Sequence, residues 1–534
     1  MRNERASTVR DEPPHDCQGW QFRLLTSTDF GFTPDTLVMN RRQFISTTAK
    51  LTMAGGVYVV AGPGTLLHGA PTEGSHPAPI DELRSAISSK DGTVLVPGID
   101  PIKDLANFNA RIKVVPQVLV ECKTPLGVSQ TILWAKKFGI PIRGRSGGHS
   151  FEGFSLVDGV VIDVKPMRKV VVDGSKQTAR IGAGTRLVEI NDSLFVHGLG
   201  LSAGSCPRVG IAGLTLGGGH GLSSRKFGLT ADNLLSLTMV DASGNNIQAS
   251  DTANPDLLWA SKGGGGGNFG VVTEFEFQVH AVGNVQIFYL SWPPAKAAQV
   301  LASWQKFAPF APNELTCHLA IDSGRDGIIG VHCGGQLLPK TAGTTPTRAE
   351  LTSMLGPLTS IRPKAFTIHA RTFLGAAIHF YGDDKPQIFF KAKSDYADQL
   401  LADDAIAGII RQFSGQHWPH GSISIIFEAY GGAIARIPPA ATAFPHRTNT
   451  LFCVQYYTEW EKDADTPQTL KQMKNLYESV HPYFSGFAYV NYADLDLVDW
   501  QRAYYRDNLQ RLREVKKAYD PQNIFNFAQS IPLA

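Results

Sequence analysis

A histidine and a cysteine stand in two glycine-rich frames of this chain: His149 in PIRGRSGGHS (141–150) and Cys206 in SAGSCPRVGIAGLTLGGGHG (202–221). Imidazole and thiol are both nucleophiles. Glycine on either side lets backbone approach a bound group closely enough for such a side chain to reach it. Successive glycines also present rows of backbone N–H that can cradle a phosphate. The familiar phosphate-binding fingerprints do not fit, however. GLGLSA (198–203) follows a helical pattern and leads into Cys206-Pro207 rather than a helix. GGGHG and Gly263–Gly267 lack the Lys-Ser/Thr end of a P-loop.

The elements around these frames mix helix and strand. GTVLVPGID and PQVLVEC read as short strands, and PLGVSQTILWAKKFGI reads as a helix with Pro and Gly punctuation. PIRGR then leads as a strand into the His149 loop. Residues 159–192 read as several strands joined by Gly turns, followed by a helix over RLVEINDSLFVHG. After Gly263–Gly267 the pattern changes: PPAKAAQVLASWQKFAP is helical, while ELTCHLAIDS, GSISIIFEAYGG and TLFCVQYYTEW are strands. Near the end, Tyr505, Leu509, Leu512, Val515 and Tyr519 recur at spacings of three or four, which predicts one amphipathic helix ended by Asp520-Pro521.

A chain of 534 residues exceeds the ~250–300 at which single cores stop growing, so more than one domain is expected. The divisions fall at 1–71, 72–280, 281–485 and 486–534. Lys+Arg at 50 against Asp+Glu at 47 leaves a net charge of +3 without a basic run, which excludes a nucleic-acid footprint. The six cysteines show no CxxC pair and no His/Cys spacing suited to zinc, so no metal site is expected. Cys317 and Cys333 read as neighbours on adjacent strands, either buried thiols or a pair in an oxidising compartment. MNRRQFISTTAK, from Met39, with a mild apolar run to Ala61 and a Pro/Gly/His-rich linker, resembles a twin-arginine export signal. That run is shorter than the ~20 residues a membrane-spanning helix needs, so an exported protein without a stable anchor is expected. Oligomeric state is not legible.

RGRSGGHS, then SAGSCPRVGIAGLTLGGGHGLSSRKFGLTADNLLSLTMVDASG, then GGGGGNFGVVTEFEF, then YVNYADLD and YDPQNIFNFAQSIP together closely resemble the berberine bridge enzyme-like flavoproteins. These are part of the p-cresol methylhydroxylase/vanillyl-alcohol oxidase superfamily, and the resemblance covers roughly 81–534. It implies a two-domain α+β fold. The FAD-binding domain would comprise two α+β subdomains (72–280), with the C-terminal segment 486–534 returning to it. The substrate domain (281–485) would be an antiparallel sheet covered by helices.

It further implies FAD held bicovalently through His149 and Cys206. Contacts would come from Arg143, Gly144, Arg145, Ser146, Gly147, Gly148, Ser150, Gly204, Val209, Gly210 and Gly213. Others would come from Gly217, Gly218, Gly219, His220, Gly221, Asn268, Phe269, Gly270, Val271, Val272 and Asn491. Arg143 and Arg145 would neutralise phosphate or stay solvated, and His220 reads as structural. Tyr492 matches the family's base, and Glu428 stands where oligosaccharide-oxidising relatives carry an acidic partner. An unassisted tyrosine of pKa ~10 is a poor base, so a neighbour must stabilise its phenolate or share its proton. Gln455 and Tyr457, alternating on one strand, would face the substrate.

Valine at Val209 matches the family position that goes with O2 as acceptor. Arg208 departs from the family's usual threonine and would place a charge at the entry to the flavin edge. The implied activity is oxidation of an alcohol group of a carbohydrate or secondary metabolite, with H2O2 as product. The alternatives are a flavin dehydrogenase using another acceptor, an oxidative cyclase, or a non-catalytic flavin-binding protein.

Overall fold

A computed structural model of the chain describes residues 79–381, 387–414 and 418–534. The twin-arginine-like stretch and its linker lie outside the described residues.

Strands β1 (Gly92–Leu95), β2 (Val118–Cys122), β3 (Ile142–Arg145) and β4 (Val160–Asp163) form a sheet of order β1-β2-β4-β3, with β2, β4 and β3 parallel. Helix Pro125–Phe138 makes the crossover between β2 and β3. Thr124 caps its first turn by accepting from the Gly127 N–H, proline takes its first position, and Gly139 closes it at φ 65°. The β3 end it positions delivers the His149 loop.

A second sheet comprises β5 (Val170–Asp173), β6 (Thr178–Gly182), β8 (Leu234–Val240), β9 (Asn246–Ser250) and β10 (Val271–Gln278) in the order β5-β6-β10-β8-β9. The short pair β7 (Leu199–Gly200) and β11 (His280–Ala281) lies beside it in sequence. The third sheet comprises β12 (Asn284–Ser291), β13 (Leu315–Ser323), β14 (Ile329–Leu337), β15 (Ala365–Thr372), β16 (Phe389–Ala397), β17 (Gly421–Ala429) and β18 (Phe452–Trp460). It is antiparallel throughout, in the order β15-β12-β14-β13-β17-β18-β16.

The period-two alternation of strand side chains gives this third sheet two unlike faces. Leu315, Cys317, Leu319 and Ile321 on β13, with Ile423, Ile425 and Phe427 on β17, point to one side. There they pack into a buried core with Val300, Leu301 and Trp304 of helix Ala297–Phe307 and Ile406 and Ile409 of helix Asp403–Arg411. Each such fully buried aliphatic contributes roughly 1.5–3 kcal/mol. Cys317 and Cys333 meet in this core with sulfurs 3.0 Å apart, and both are free thiols. The other face carries His318, Glu428, Gln455 and Tyr457.

The expected C-terminal helix is broken in two, Trp500–Tyr505 and Leu509–Tyr519. Arg506 adopts φ 45°, stacks on Phe487 at 3.8 Å and pairs with Asp398 at 2.8 Å. Those tertiary contacts override the helical spacing.

Candidate active site

The loop after β3 and the loop before helix Ile211–Leu216 meet at two glycines. A Cβ on Gly147 would overlap the Gly210 nitrogen, and one on Gly210 would overlap the Gly147 nitrogen. This contact brings the His149 and Cys206 frames to one cavity of ≈ 400 Å³. Gly210→Ala is therefore expected to force the loops apart and cost about 1–3 kcal/mol. Scanning fluorimetry would show a lowered melting temperature, and an unchanged one would contradict the contact.

The run Arg143–Ser150, with Gly204, Cys206, Val209, Gly210, Gly213, His220 and Gly221, lines the cavity. So do Asn268, Gly270, Val271, Val272, Asn491, Tyr492, Glu428, Gln455 and Tyr457. Four of the expected cofactor contacts do not. Gly217, Gly218 and Gly219 pack instead against the C-terminal half of the chain. Gly217 abuts the Asn491 amide, Gly218 faces Phe444, and the Gly219 N–H donates to the Tyr489 hydroxyl at 2.9 Å. Phe269 is buried beside Gly264.

Arg145 lines the cavity but pairs with buried Asp163 at 2.9 Å, so a carboxylate already meets its charge. Arg143 differs. It has no carboxylate partner among the described residues. Its Nη1 donates to the Ile142 carbonyl, and its guanidinium lies over Phe527 at 5.7 Å. Burial pulls its pKa down to about 10.

His149 is stacked on Phe108 with ring centroids 4.2 Å apart. Burial, then the charges of Arg186, Arg208 and Arg145, pulls its pKa down to about 3, so the imidazole is neutral with a lone pair available. Cys206 is accessible to the cavity while lying inside the protein body, and burial there raises its thiol pKa.

These residues fit FAD. A Cβ at Gly213 would meet nothing within 4 Å and would stand in the cavity itself. The unpaired Arg143 offers a cation to a pyrophosphate. Two nucleophiles of different chemistry face the same space.

Across the third sheet, register aligns His318, Glu428, Cys453 and Tyr396 on neighbouring strands. Glu428 is 4% exposed, and burial pushes its pKa up to about 7 against the hydrogen bonds of Tyr492 and Cys453. The Tyr492 hydroxyl, on the turn Val490–Tyr492, donates to Glu428 Oε1 at 3.1 Å and Oε2 at 3.3 Å. Burial, and then the Glu428 charge, holds Tyr492 well above 10. The pair thus favours phenol over phenolate. Of the two expected arrangements, the hydrogen bond joins the pair at the phenol proton, with the Glu428 carboxylate accepting it.

His220 Nδ1 lies 4.0 Å from Glu428 Oε2, and burial pulls its pKa down to about 3, so it faces the carboxylate as a neutral ring. Gln455 and Tyr457 share the cavity face of β18, as their alternation predicts.

Sequence reasoning missed the aromatic frame. Phe151 stacks on Tyr492 at 5.6 Å, and Phe390 meets Phe151 at 4.9 Å and Tyr457 at 5.6 Å. Nothing local distinguishes these phenylalanines from core residues. Tyr489 is the exception, since its place in YVNYAD, three before Tyr492, was a usable signal. Among the described residues no group of His, Cys, Asp and Glu is arranged to hold a metal, and no helix is long and apolar enough to cross a membrane.

The three sheets and this cavity are an α+β scaffold built around one cofactor-sized site, and comparison with known proteins makes it an FAD-linked oxidoreductase of the vanillyl-alcohol oxidase-type fold. Residues 116–250 match the "FAD binding domain" family and 488–532 the "Berberine and berberine like" family. The chain is 36% identical over 435 residues to the uncharacterized FAD-linked oxidoreductase YgaK of Bacillus subtilis (strain 168), covering 80% of this chain and 93% of that protein. Among solved structures, Physcomitrella patens BBE-like 1 superposes with a TM-score of 0.75 at 30% identity, covering 85% of this chain and 99% of its own. A chitooligosaccharide oxidase superposes with a TM-score of 0.76 at 27% identity, with the same coverage. The chain belongs to the berberine bridge enzyme-like family of FAD-linked oxidoreductases.

Proposed function

We propose that the protein oxidises an alcohol group of a carbohydrate or related hydroxylated metabolite, with O2 as acceptor and H2O2 as product. The observation that carries this reading is the Tyr492–Glu428 pair facing the cavity that holds His149 and Cys206. His149 and Cys206 would hold FAD covalently at two points, and Arg143 would meet its phosphates. Bound there, FAD supplies the two-electron acceptor for a hydride.

The protein's own residues handle the proton and the pose. Tyr492 accepts the substrate hydroxyl proton at its phenolic oxygen as its own proton passes to Glu428. The pair titrates as a unit. Gln455 and Tyr457 bind neighbouring substrate groups, and Phe151 and Phe390 fix the tyrosine ring. A sugar class is supported by the likeness to the chitooligosaccharide oxidase, and O2 as acceptor by valine at Val209, which lines the cavity. Export through the Arg41-Arg42 segment completes the reading.

The test is anaerobic mixing of the full-length protein with cello- and chito-oligosaccharides and aromatic alcohols, followed by admission of air. Flavin bleaching by a sugar and H2O2 release in air are expected. Bleaching without H2O2 would replace the oxidase by a dehydrogenase, and bleaching by none of the alcohols would remove the alcohol-oxidising reading.

Glu428 must be ionised to accept the proton. The bleaching rate is therefore expected to rise with pH through about 7 and then level. A rate that falls over that interval would contradict Glu428 as acceptor.

A further inference from the structure

Beneath the aromatic frame lies a cluster of six charges, four of them on buried residues. Lys391 Nζ contacts Glu152 Oε1 at 2.5 Å, Asp494 Oδ1 at 2.6 Å and Asp496 Oδ2 at 3.3 Å. Lys393 Nζ meets the other Asp494 oxygen at 2.8 Å and Asp496 at 2.7 Å. Arg111 pairs with Glu152 at 3.2 Å and donates from Nε to the Phe390 carbonyl at 2.8 Å. Lys391, Lys393, Glu152 and Asp494 are buried.

The Asp494 backbone is held on both sides. Its N–H donates to the Tyr504 hydroxyl at 3.1 Å, and its carbonyl accepts from the Gln529 amide at 2.8 Å. Burial opposes charge on Lys391, but Asp494, Glu152 and Asp496 outweigh it and keep its pKa raised.

The connectivity is what sets this cluster apart. Glu152 lies three residues after His149, and Asp494 two residues after Tyr492. Lys391 follows Phe390, whose ring meets both Phe108, the residue stacked on His149, and Phe151, the residue stacked on Tyr492. One dipeptide on the edge strand β16 therefore ties both loops through the Lys391 ammonium, while the Phe390 ring meets Phe151, on which Tyr492 stacks. Apolar side chains of similar volume commonly replace buried ion clusters without loss of stability, so such a cluster is better explained by the geometry it imposes.

We propose that Lys391 is a positioning residue that fixes the His149 loop relative to the Tyr492 turn, so that the imidazole is presented for flavin attachment. The inference rests on the proposed attachment at His149.

It is tested in the full-length, flavin-loaded protein carrying Cys206→Ala, in which His149 is the remaining attachment point. Flavin colour surviving acid precipitation is measured alongside melting temperature. Lys391→Met is expected to lower acid-resistant flavin roughly tenfold or more, because small misplacements of reacting groups have large effects. Lys391→Arg, which keeps the tie, is expected to stay near the parent.

The double variant Lys391→Met/Glu152→Gln restores charge balance without restoring the tie. It is expected to melt near the parent yet remain low in acid-resistant flavin. Parental colour in either Met variant would overturn the inference, as would a double variant that does not fold, since the cluster would then be a determinant of the fold itself. An absence of acid-resistant colour in the Cys206→Ala parent would instead remove the attachment reading, and the inference with it.

Discussion

Replacing Tyr492 by Phe is expected to slow anaerobic flavin reduction by about 10²–10⁴-fold, the usual contribution of a positioned proton-transfer group. In the proposed path the phenol takes the substrate proton and passes its own to Glu428, which lines the same cavity. Glu428→Gln is expected to lose rate on the same scale and also to flatten the pH dependence near 7, because the amide cannot take the proton. Stopped-flow traces of both variants across pH 5–9 check this. A Tyr492→Phe rate within a few-fold of the parent would remove the tyrosine from the proton path.

The same carboxyl makes an independent statement about stability. Its folded pKa of about 7 lies above the ordinary 4.5, so ionising it opposes folding. Stability is fully present below about 4.5 and is lost as pH rises through 7, by about 3 kcal/mol at most. Glu428→Gln is accordingly expected to raise the melting temperature relative to wild type at pH 8 and to leave it nearly unchanged at pH 4.5. A site that stabilises the protein while weakening proton transfer when neutralised is the behaviour expected of a functional carboxylate buried in apolar surroundings.

Acid precipitation of the wild-type protein is expected to leave flavin in the pellet. His149→Ala and Cys206→Ala are each expected to retain it, and the double variant to release it into the wash. The reason is geometric: two nucleophiles on separate loops reach one cavity because Gly147 and Gly210 let those loops touch. The imidazole is kept neutral by burial and by nearby arginines, so its lone pair is available across the ordinary pH range. Visible spectra of washed pellets decide the matter. Release from the wild type would show that both residues line the cavity without bonding, and release from one single variant would leave the other residue as a non-attaching contact.

Much of the site was legible in the chain. Glycine marks where backbone must approach closely, and alternation on TLFCVQYYTEW put Gln455 and Tyr457 on one face. These are local properties, dictated by side-chain size and by the period of a strand, and they survive folding because nothing distant contradicts them. That His149, Cys206 and Tyr492 share one cavity was implied by the family resemblance and by no local pattern. The partnerships were decided elsewhere.

That Arg145 belongs to Asp163, that Gly217–Gly219 serve the C-terminal segment, and that Arg506 breaks a well-patterned helix all depend on residues far away in sequence. So do the pairing of Lys391 with Glu152 and Asp494 and the burial that pushes the Glu428 pKa up to about 7. The sequence by itself determined which residues could carry the chemistry and which elements would present them. The tertiary structure decided which charges are paired and which stay available, because burial and the distance to the next charge set a group's protonation, and both are properties of the folded chain.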